Sequence, residues 1–178
     1  MSSIQVVLGD ITKQKTDVIV NAANTSLLGG GGVDGAIHRA AGPELLQACR
    51  KLGGCATGDA KITPAFRLPH RYIIHAVGPV WSGGKRREDE LLANCYRNSL
   101  QLANEYSLKT VAFPAIGTGA YRFPVERAAK IAAETVYSCL QQLPSIEIVY
   151  FVCFSEKDKA LYEEAVRPYH MNHEKTGS

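Results

Sequence analysis

Two glycine-rich stretches are the parts of this sequence best suited to chemistry. The first, Gly29 to Gly32, runs directly into a predicted helix that spans residues 33–41. Backbone N–H groups would converge at the start of that helix, where the helix dipole favours an anion and the missing Cβ atoms let a phosphate approach closely. The second stretch, Gly117 to Tyr121, lies between a predicted strand and a predicted helix and offers a further set of backbone amides. Two such loops could hold a diphosphate from opposite sides; the alternative is that both are only tight turns.

Common nucleotide-binding and hydrolase motifs do not account for these loops. Gly30, Gly32 and Gly35 satisfy the G-x-G-x-x-G pattern of dinucleotide-binding folds, but that pattern should follow its strand immediately, and here residues 21–28 intervene. The chain contains neither the G-x-x-x-x-G-K-[ST] signature of a P-loop nor the G-x-S-x-G signature of a serine hydrolase. The sequence therefore favours neither an ATPase nor a serine hydrolase.

Four sequence blocks together resemble the macrodomain family. They are GDIT at residues 9–12, NAAN at 21–24, GGGGVDGAIHRAAG at 29–42 and AIGTGAY at 115–121. They occur in the family's order and spacing over nearly the whole chain, and the second and third are similar to the branch that removes ADP-ribose esters. The resemblance implies a macrodomain fold, no cofactor, and a hydrolase that deacetylates O-acetyl-ADP-ribose and removes mono-ADP-ribose from acidic side chains. It implies ADP-ribose and its esters as ligands and ADP-ribosylated proteins as candidate partners.

The resemblance places Asp34 and Asn24 beside the distal ribose, where an ester would be cut. The hypothesis is a metal-independent hydrolysis in which both position a water for attack on the acyl carbon or on the anomeric carbon. A carboxylate is a weak base at neutral pH, so a substrate phosphate oxygen is an alternative activator of that water. Each residue also has an ordinary alternative role: Asp34 as a first-turn acid that complements the helix dipole, and Asn24 as a loop residue bonded to its own backbone. His38 lies one helical turn beyond Asp34 on the same face, where it could relay a proton or make a structural hydrogen bond.

The resemblance also assigns residues to the adenine and the phosphates. Asp10 would accept a hydrogen bond from the adenine amine, the Ile11 N–H would face a ring nitrogen, and Phe154 would stack on or flank the base. The alternatives are that Asp10 caps the following turn and that Phe154 is a core aromatic. Tyr121 would cover the distal ribose. The predicted ligand-binding residues are Asp10, Ile11, Gly30, Gly31, Gly32, Val33, Gly35, Gly117, Thr118, Gly119, Ala120, Tyr121 and Phe154.

A sheet must position these loops, and the chain alternates short β-branched runs with longer helical patterns. This alternation predicts a three-layer α/β/α sandwich with a mixed, largely parallel sheet. Six strands are predicted, at residues 4–8, 17–21, 60–63, 72–77, 110–114 and 146–154. Apolar residues recur at helical spacing in four segments. The first follows Pro43, the second begins at Leu91, the third begins at Val125, and the fourth ends before Pro168. His75, in the fourth strand, is predicted to be a core histidine with satisfied hydrogen bonds rather than a catalyst.

Length and composition predict one ordinary globular domain. The chain has 178 residues, of which 46% are hydrophobic and 21% charged. We expect a single domain over residues 1–168 and a frayed polar tail over residues 169–178.

No basic leader and no run of roughly 20 apolar residues occurs, which predicts no membrane segment and a cytoplasmic location. The five cysteines lack a C-x-x-C pair, and the His170 and His173 pair lies in the tail, so reduced thiols and no metal site are expected.

Several functions stay open on sequence alone. The Asp34 and Asn24 pair favours hydrolysis over a binding module that holds ADP-ribose without turnover, whereas a phosphatase acting on ADP-ribose 1''-phosphate would use the same pocket. Binding of nucleic acid is disfavoured, because the net charge is only +3 and the basic cluster Lys85 to Arg87 is followed at once by three acidic residues. That cluster is predicted to be a solvated helix start. The sequence predicts neither the oligomeric state nor the physiological ester.

Overall fold

The computed structural model describes residues 2–177, with side chains described up to residue 170, and is built on a six-stranded sheet. The strands are β1 (Ser3–Leu8), β2 (Val18–Ala23), β3 (Ala60–Pro64), β4 (Tyr72–Val77), β5 (Thr110–Phe113) and β6 (Ile148–Cys153). Their order across the sheet is β1-β6-β5-β2-β4-β3. Every neighbouring pair is parallel except β3 and β4, which pair antiparallel at one edge. The predicted mixed, largely parallel sheet is confirmed.

Helices cover both faces of this sheet. They are α1 (Gly32–Ala41), α2 (Pro43–Leu52), α3 (Glu88–Glu105), α4 (Val125–Gln142) and α5 (Glu156–Gly177), and a short 3₁₀ turn, Ile11–Lys13, follows β1. The buried side chains form two hydrophobic clusters, one between the sheet and α3, α4 and α5, and the other between the sheet and α1 and α2. This arrangement confirms the three-layer α/β/α sandwich.

Strand β4 shows how the two clusters divide the sheet. Ile74 and Ala76 belong to the cluster under α3 to α5, whereas Ile73 and Val77 belong to the cluster under α1 and α2. Side chains alternate along a strand, so His75 shares the second face with Ile73 and Val77. Both faces are buried, as expected of an inner strand in a sheet covered by helices on both sides.

The last helix continues past Pro168, where the sequence predicted its end. A proline inside a helix removes one backbone hydrogen bond, but the turn that follows makes tertiary contacts that offset the loss. The Tyr169 ring stacks on Tyr137 with centroids 4.6 Å apart, and His170 Nε2 lies 2.5 Å from the Ile4 carbonyl oxygen. The predicted helix end is therefore wrong, and these two residues pack rather than fray. Side chains of residues 171–178, including His173, lie outside the described residues, and the domain boundary at residue 168 stays a prediction.

All five cysteine thiols are buried and free, as expected for structural thiols. Burial raises the pKa of Cys49 to about 11 and the pKa of both Cys95 and Cys153 to about 12, so these thiols are neutral at physiological pH. Among the described side chains, no group of three or more His, Cys, Asp or Glu is placed to hold a metal ion. Within the described part of the chain, no helix combines the length and apolar character needed to span a membrane.

Candidate functional site

A cleft of about 560 Å³ opens beyond the carboxyl ends of β2, β5 and β6. Strands β2 and β5 are neighbours, and the chain leaves β2 toward the β4 and β3 side of the sheet but leaves β5 toward β6. Open α/β sheets bind ligands where the chain direction divides in this way. Both predicted glycine loops line the cleft.

The first glycine loop leads into α1, and no capping side chain binds the amides at the start of this helix. Gly31 occupies the N-cap position and makes no side-chain hydrogen bond, so the N–H groups of the first turn lack a partner from a capping residue. A Cβ added to Gly31 would meet nothing within 4 Å, whereas one added to Gly35 would lie 2.6 Å from the Gly30 carbonyl oxygen. Gly35 therefore lets the helix pack against the loop, and Gly31 leaves the loop open toward the cleft. Such an opening at a helix N-terminus suits an anion.

Asp34 lies in the first turn of α1 and is only 4% exposed. Its Oδ1 accepts a hydrogen bond from Asn21 Nδ2 at 2.8 Å. A Cβ built on Gly30 would lie 3.2 Å from Asp34 Oδ2 and 3.5 Å from Asn24 Nδ2, so these two atoms flank the same point. The structure thus brings together the two side chains predicted to be catalytic, at one end of the cleft.

The Asn24 side chain also makes hydrogen bonds within its own loop. Its Oδ1 accepts from the Ser26 N–H at 3.1 Å, the Ser26 hydroxyl at 2.6 Å and the Leu27 N–H at 3.2 Å, and its Nδ2 donates to the Gly29 carbonyl at 3.0 Å. These bonds hold Leu27 in a left-handed conformation, φ 63°, with its side chain buried. The loop-asparagine alternative is therefore present in the structure. An amide nitrogen has a second hydrogen to donate, and the catalytic role of Asn24 stays a prediction.

His38 lies on the same helix face as Asp34, as the spacing predicted. Its Nε2 is 3.4 Å from Asp34 Oδ1, but the contact lacks hydrogen-bond geometry and the buried Nε2 has no hydrogen-bond partner among the described residues. The predicted structural hydrogen bond is thus not formed in this structure, and the proton relay stays a prediction.

The second glycine loop is a tight turn that lines the cleft. The Phe123 N–H donates to the Gly117 carbonyl at 2.9 Å and the Arg122 N–H to the Gly119 carbonyl at 3.0 Å. Thr118 Oγ1 donates to the Ala115 carbonyl at 3.1 Å, so this hydroxyl can only accept a hydrogen bond from a ligand. The loop is a turn, and its residues from Gly117 to Tyr121 all line the cleft.

Trp81 supports this second loop from outside the cleft. Its backbone N–H donates to the Tyr121 carbonyl at 2.8 Å, and its ring packs against Phe123 with centroids 4.8 Å apart. The Arg127 guanidinium lies 5.1 Å from the centre of the Trp81 ring, within cation–π range. Tyr121 is thus positioned by contacts made outside the cleft.

Glu88 holds the segment that follows Trp81. The buried carboxylate accepts from the N–H groups of Ser82 at 2.8 Å, Gly84 at 2.9 Å and Arg86 at 2.5 Å. Burial alone would raise the pKa of Glu88, but these backbone hydrogen bonds outweigh it and lower the pKa to about 2. Lys85 to Arg87 are exposed and lead directly into α3, with Arg87 at its N-cap, so the prediction of a solvated helix start is confirmed.

Phe154 follows β6, which β5 separates from β2, so it lies across the cleft from Asn24 and the neighbouring Asp34. Its side chain is 68% exposed and lines the cleft, so the core-aromatic alternative is wrong. An exposed aromatic ring at this position is well placed to stack on a base. Asp158, in the first turn of α5, lines the same region. Sequence reasoning missed Asp158, because an acid in a first helical turn has an ordinary role with the helix dipole.

Asp10 and Ile11 lie beyond the end of β1, next to the end of β6. The Gly9 N–H donates to the Cys153 carbonyl at 3.0 Å. Asp10 Oδ1 accepts from the Thr12 hydroxyl at 2.7 Å and the Thr12 N–H at 2.9 Å, and these bonds lower the pKa of Asp10. The turn-capping alternative is therefore present, and the Ile11 side chain is buried. Neither residue is among those that line the cleft, so their contacts with a base stay a prediction.

Comparison with known proteins identifies the family. The family model described as Macro domain matches residues 20–132. A Macro domain-containing protein of Chlorobaculum tepidum is 61% identical over 163 residues, covering 92% of this chain and 95% of the relative. A protein of Escherichia fergusonii named O-acetyl-ADP-ribose deacetylase is 56% identical over 165 residues, covering 90% of this chain and 93% of the relative.

A solved structure agrees with these sequence relatives. A mutant of the Oceanobacillus iheyensis macrodomain, solved with ADPR, superimposes with a TM-score of 0.91 at 47% identity, covering 96% of this chain and 95% of that chain. The fold, the four sequence blocks and these matches over nearly the whole length lead to one conclusion. This chain belongs to the macrodomain family.

Proposed function

We propose that this chain binds ADP-ribose in the cleft and hydrolyses ADP-ribose esters. The substrates would be O-acetyl-ADP-ribose and mono-ADP-ribose linked to acidic side chains of proteins. Relatives named O-acetyl-ADP-ribose deacetylase and the structural neighbour with ADPR support this assignment.

The shape of the cleft supports a dinucleotide-like ligand lying along it. Phe154 follows β6, the second glycine loop follows β5, and Asn24 follows β2 beside the first glycine loop, so these groups succeed one another in the strand order β6-β5-β2. A base stacked on Phe154 and a diphosphate held by the amides of both loops would place the distal ribose beside Asp34. The observation that carries the proposal is the convergence of Asp34 Oδ2 and Asn24 Nδ2 on Gly30 at that end.

These residues suggest how the ester would be cut. Asp34 would orient a water whose oxygen attacks the acyl carbon, and the Asn24 amide would donate to the oxygen that gains negative charge. The acyl–oxygen bond then breaks, the ribose oxygen takes up a proton, and the free acid and ADP-ribose leave. The proton that the water loses would pass to Asp34 or to a substrate phosphate oxygen and from there to the ribose oxygen. Most of the rate acceleration would come from positioning, which in ideal intramolecular systems removes roughly 7 to 11 kcal/mol of barrier.

The test is release of ADP-ribose from O-acetyl-ADP-ribose by the natural protein and by Asp34→Ala, with ADP-ribose affinity measured by calorimetry on both. We expect turnover by the natural protein and a loss of roughly a hundredfold in kcat in the variant, with the Kd for ADP-ribose nearly unchanged. A parallel assay with a protein mono-ADP-ribosylated on glutamate tests the second substrate.

Each other outcome has a clear meaning. Tight binding without turnover by the natural protein would show a binding module, and release of phosphate from ADP-ribose 1''-phosphate alone would show a phosphatase. Absence of ADP-ribose binding would contradict the proposed function altogether.

A further inference from the structure

Behind Asp34, on the side away from the cleft, polar side chains continue across the sheet. Asn21 and His75 are direct neighbours in the register of β2 and β4, and both are 0% exposed. They lie on the sheet face covered by α1 and α2, among hydrophobic side chains. Burial of polar groups at such a place costs free energy unless their hydrogen bonds are made. Their presence in this core therefore needs a reason beyond packing.

The contacts form a chain with a defined direction. Asn21 Nδ2 lies 2.8 Å from Asp34 Oδ1 and 3.2 Å from His75 Nδ1, and His75 Nε2 lies 2.9 Å from Thr63 Oγ1. An amide nitrogen only donates, so His75 Nδ1 must accept, and the ring proton is then on Nε2 and is donated to Thr63. Each group thereby determines the orientation of the next, from Thr63 at the sheet edge to the carboxylate in the cleft.

Two buried groups behind Asp34, His75 on β4 and Cys49 on α2, are neutral at physiological pH. Burial, and to a lesser extent the charge of His38, lower the pKa of His75 to about 3, so its ring is neutral and Nδ1 stays an acceptor at physiological pH. Cys49 on α2, with Sγ 3.9 Å from His75 Nε2, is a neutral thiol whose pKa is raised to about 11 by burial and by Asp34. On α1 itself, the His38 ring lies 3.4 Å from Asp34 Oδ1.

We propose that Asn21 and His75 are positioning residues for ester hydrolysis, acting through Asp34. Both hydrogens of the Asn21 amide are engaged, one by the carboxylate and one by the imidazole, so the amide cannot rotate without losing a bond. The carboxylate is held through Oδ1, which keeps Oδ2 directed toward Gly30, where the water would be oriented. Without this hold, the carboxylate could rotate freely about χ2, which is a broad torsion. The inference rests on the proposed function.

The test compares His75→Leu, which removes the acceptor for Asn21, with His75→Gln, whose amide can accept from Asn21 and donate to Thr63. We expect His75→Leu to lower kcat for O-acetyl-ADP-ribose by roughly tenfold to a hundredfold, with the KM and the Kd for ADP-ribose nearly unchanged, and His75→Gln to recover most of that loss. Ile73→Val, on the same strand and face, is the control for lost stability, and it should leave kcat unchanged. Asn21→Ser, which shortens the amide, is measured in the same way and serves where His75→Leu does not fold.

A double-mutant cycle separates positioning from a general structural role. If His75 acts through Asp34, then His75→Leu should have no further effect on the single-turnover rate in an Asp34→Ala background. An equal rate loss in both backgrounds, or an unchanged kcat in His75→Leu and Asn21→Ser, would overturn the inference and leave the proposed function standing. No turnover of any ester by the natural protein would instead overturn the proposed function, and this inference with it.

Discussion

The two ends of the cleft are built in opposite ways. At one end, Asp34 is 4% exposed and is held by Asn21, His75 and Thr63 in a buried polar chain. At the other end, Phe154 follows the last strand as a single ring, 68% exposed. A reaction requires a carboxylate held to within fractions of an ångström, whereas stacking on a base tolerates small shifts of the ring. The difference is consistent with the proposed function, in which bonds are broken beside Asp34 and the base is only bound beside Phe154.

The largest effect should come from closing the space between α1 and the first glycine loop. Gly35→Ala places a Cβ 2.6 Å from the Gly30 carbonyl oxygen, so the helix must move away from the loop. We expect a loss of about 2 to 3 kcal/mol in the free energy of unfolding, measured by urea denaturation, together with a lower kcat. Gly31→Ala is the matched control, because its Cβ would meet nothing within 4 Å. It should keep the stability and report only on ligand binding; equal stability losses would contradict the difference between the two positions.

Lowering the pH should reduce the stability of the folded protein, because His75 is buried as a neutral ring. Its pKa is about 3 in the folded protein, against 6.5 for an unperturbed histidine. Between those two pH values the unfolded chain binds the extra proton, so stability is fully present above pH 6.5 and falls as the pH falls, by about 1.4 kcal/mol per pH unit from this group. We expect urea denaturation to show that lowering the pH from 7 to 5 reduces the free energy of unfolding of both proteins. The reduction should be about 2 kcal/mol smaller in His75→Gln than in the natural protein. Parallel losses in the two proteins would show that His75 is not buried as a neutral ring.

The smallest effect should come from the exposed end. Phe154→Ala removes the ring on which the base would stack, and base stacking on an aromatic side chain contributes roughly 1 to 3 kcal/mol. We expect the Kd for ADP-ribose to rise about tenfold by calorimetry, while kcat at saturating substrate stays within about twofold of the natural protein. Phe154→Tyr, which keeps the ring, is the control and should bind normally. A fall in kcat with unchanged Kd would reverse the comparison between the two ends.

The sheet and its loops were predictable because their signals are local. The run Tyr72 to Val77 is β-branched and apolar, and it forms β4 with the predicted bounds. Pro43 begins α2, and Gly53 ends it in the left-handed conformation that glycine favours. The helix end predicted at Pro168 was wrong because distant partners, Tyr137 and the Ile4 carbonyl, stabilise the turn that follows. A local rule contains no information about such partners.

The NAAN block shows the same limit within the site. As a sequence it reads as one motif, and the strand was predicted to end at Asn21. In the structure β2 continues to Ala23, so Asn21 lies inside the sheet and only Asn24 belongs to the loop. The two asparagines therefore lie in different places, one behind Asp34 and one beside the cleft.

The sequence by itself determined the six strands, the two glycine loops and the residue types available at the cleft, because each depends on neighbours a few positions away. Only the tertiary structure decided which polar groups meet. The pairing of β2 with β4 sets Asn21 beside His75, and the packing of α1 on that face brings Asp34 Oδ1 to 2.8 Å from Asn21 Nδ2. Strand register and helix packing are properties of the whole fold, and here they connect a core histidine, through Asn21, to a carboxylate in the cleft.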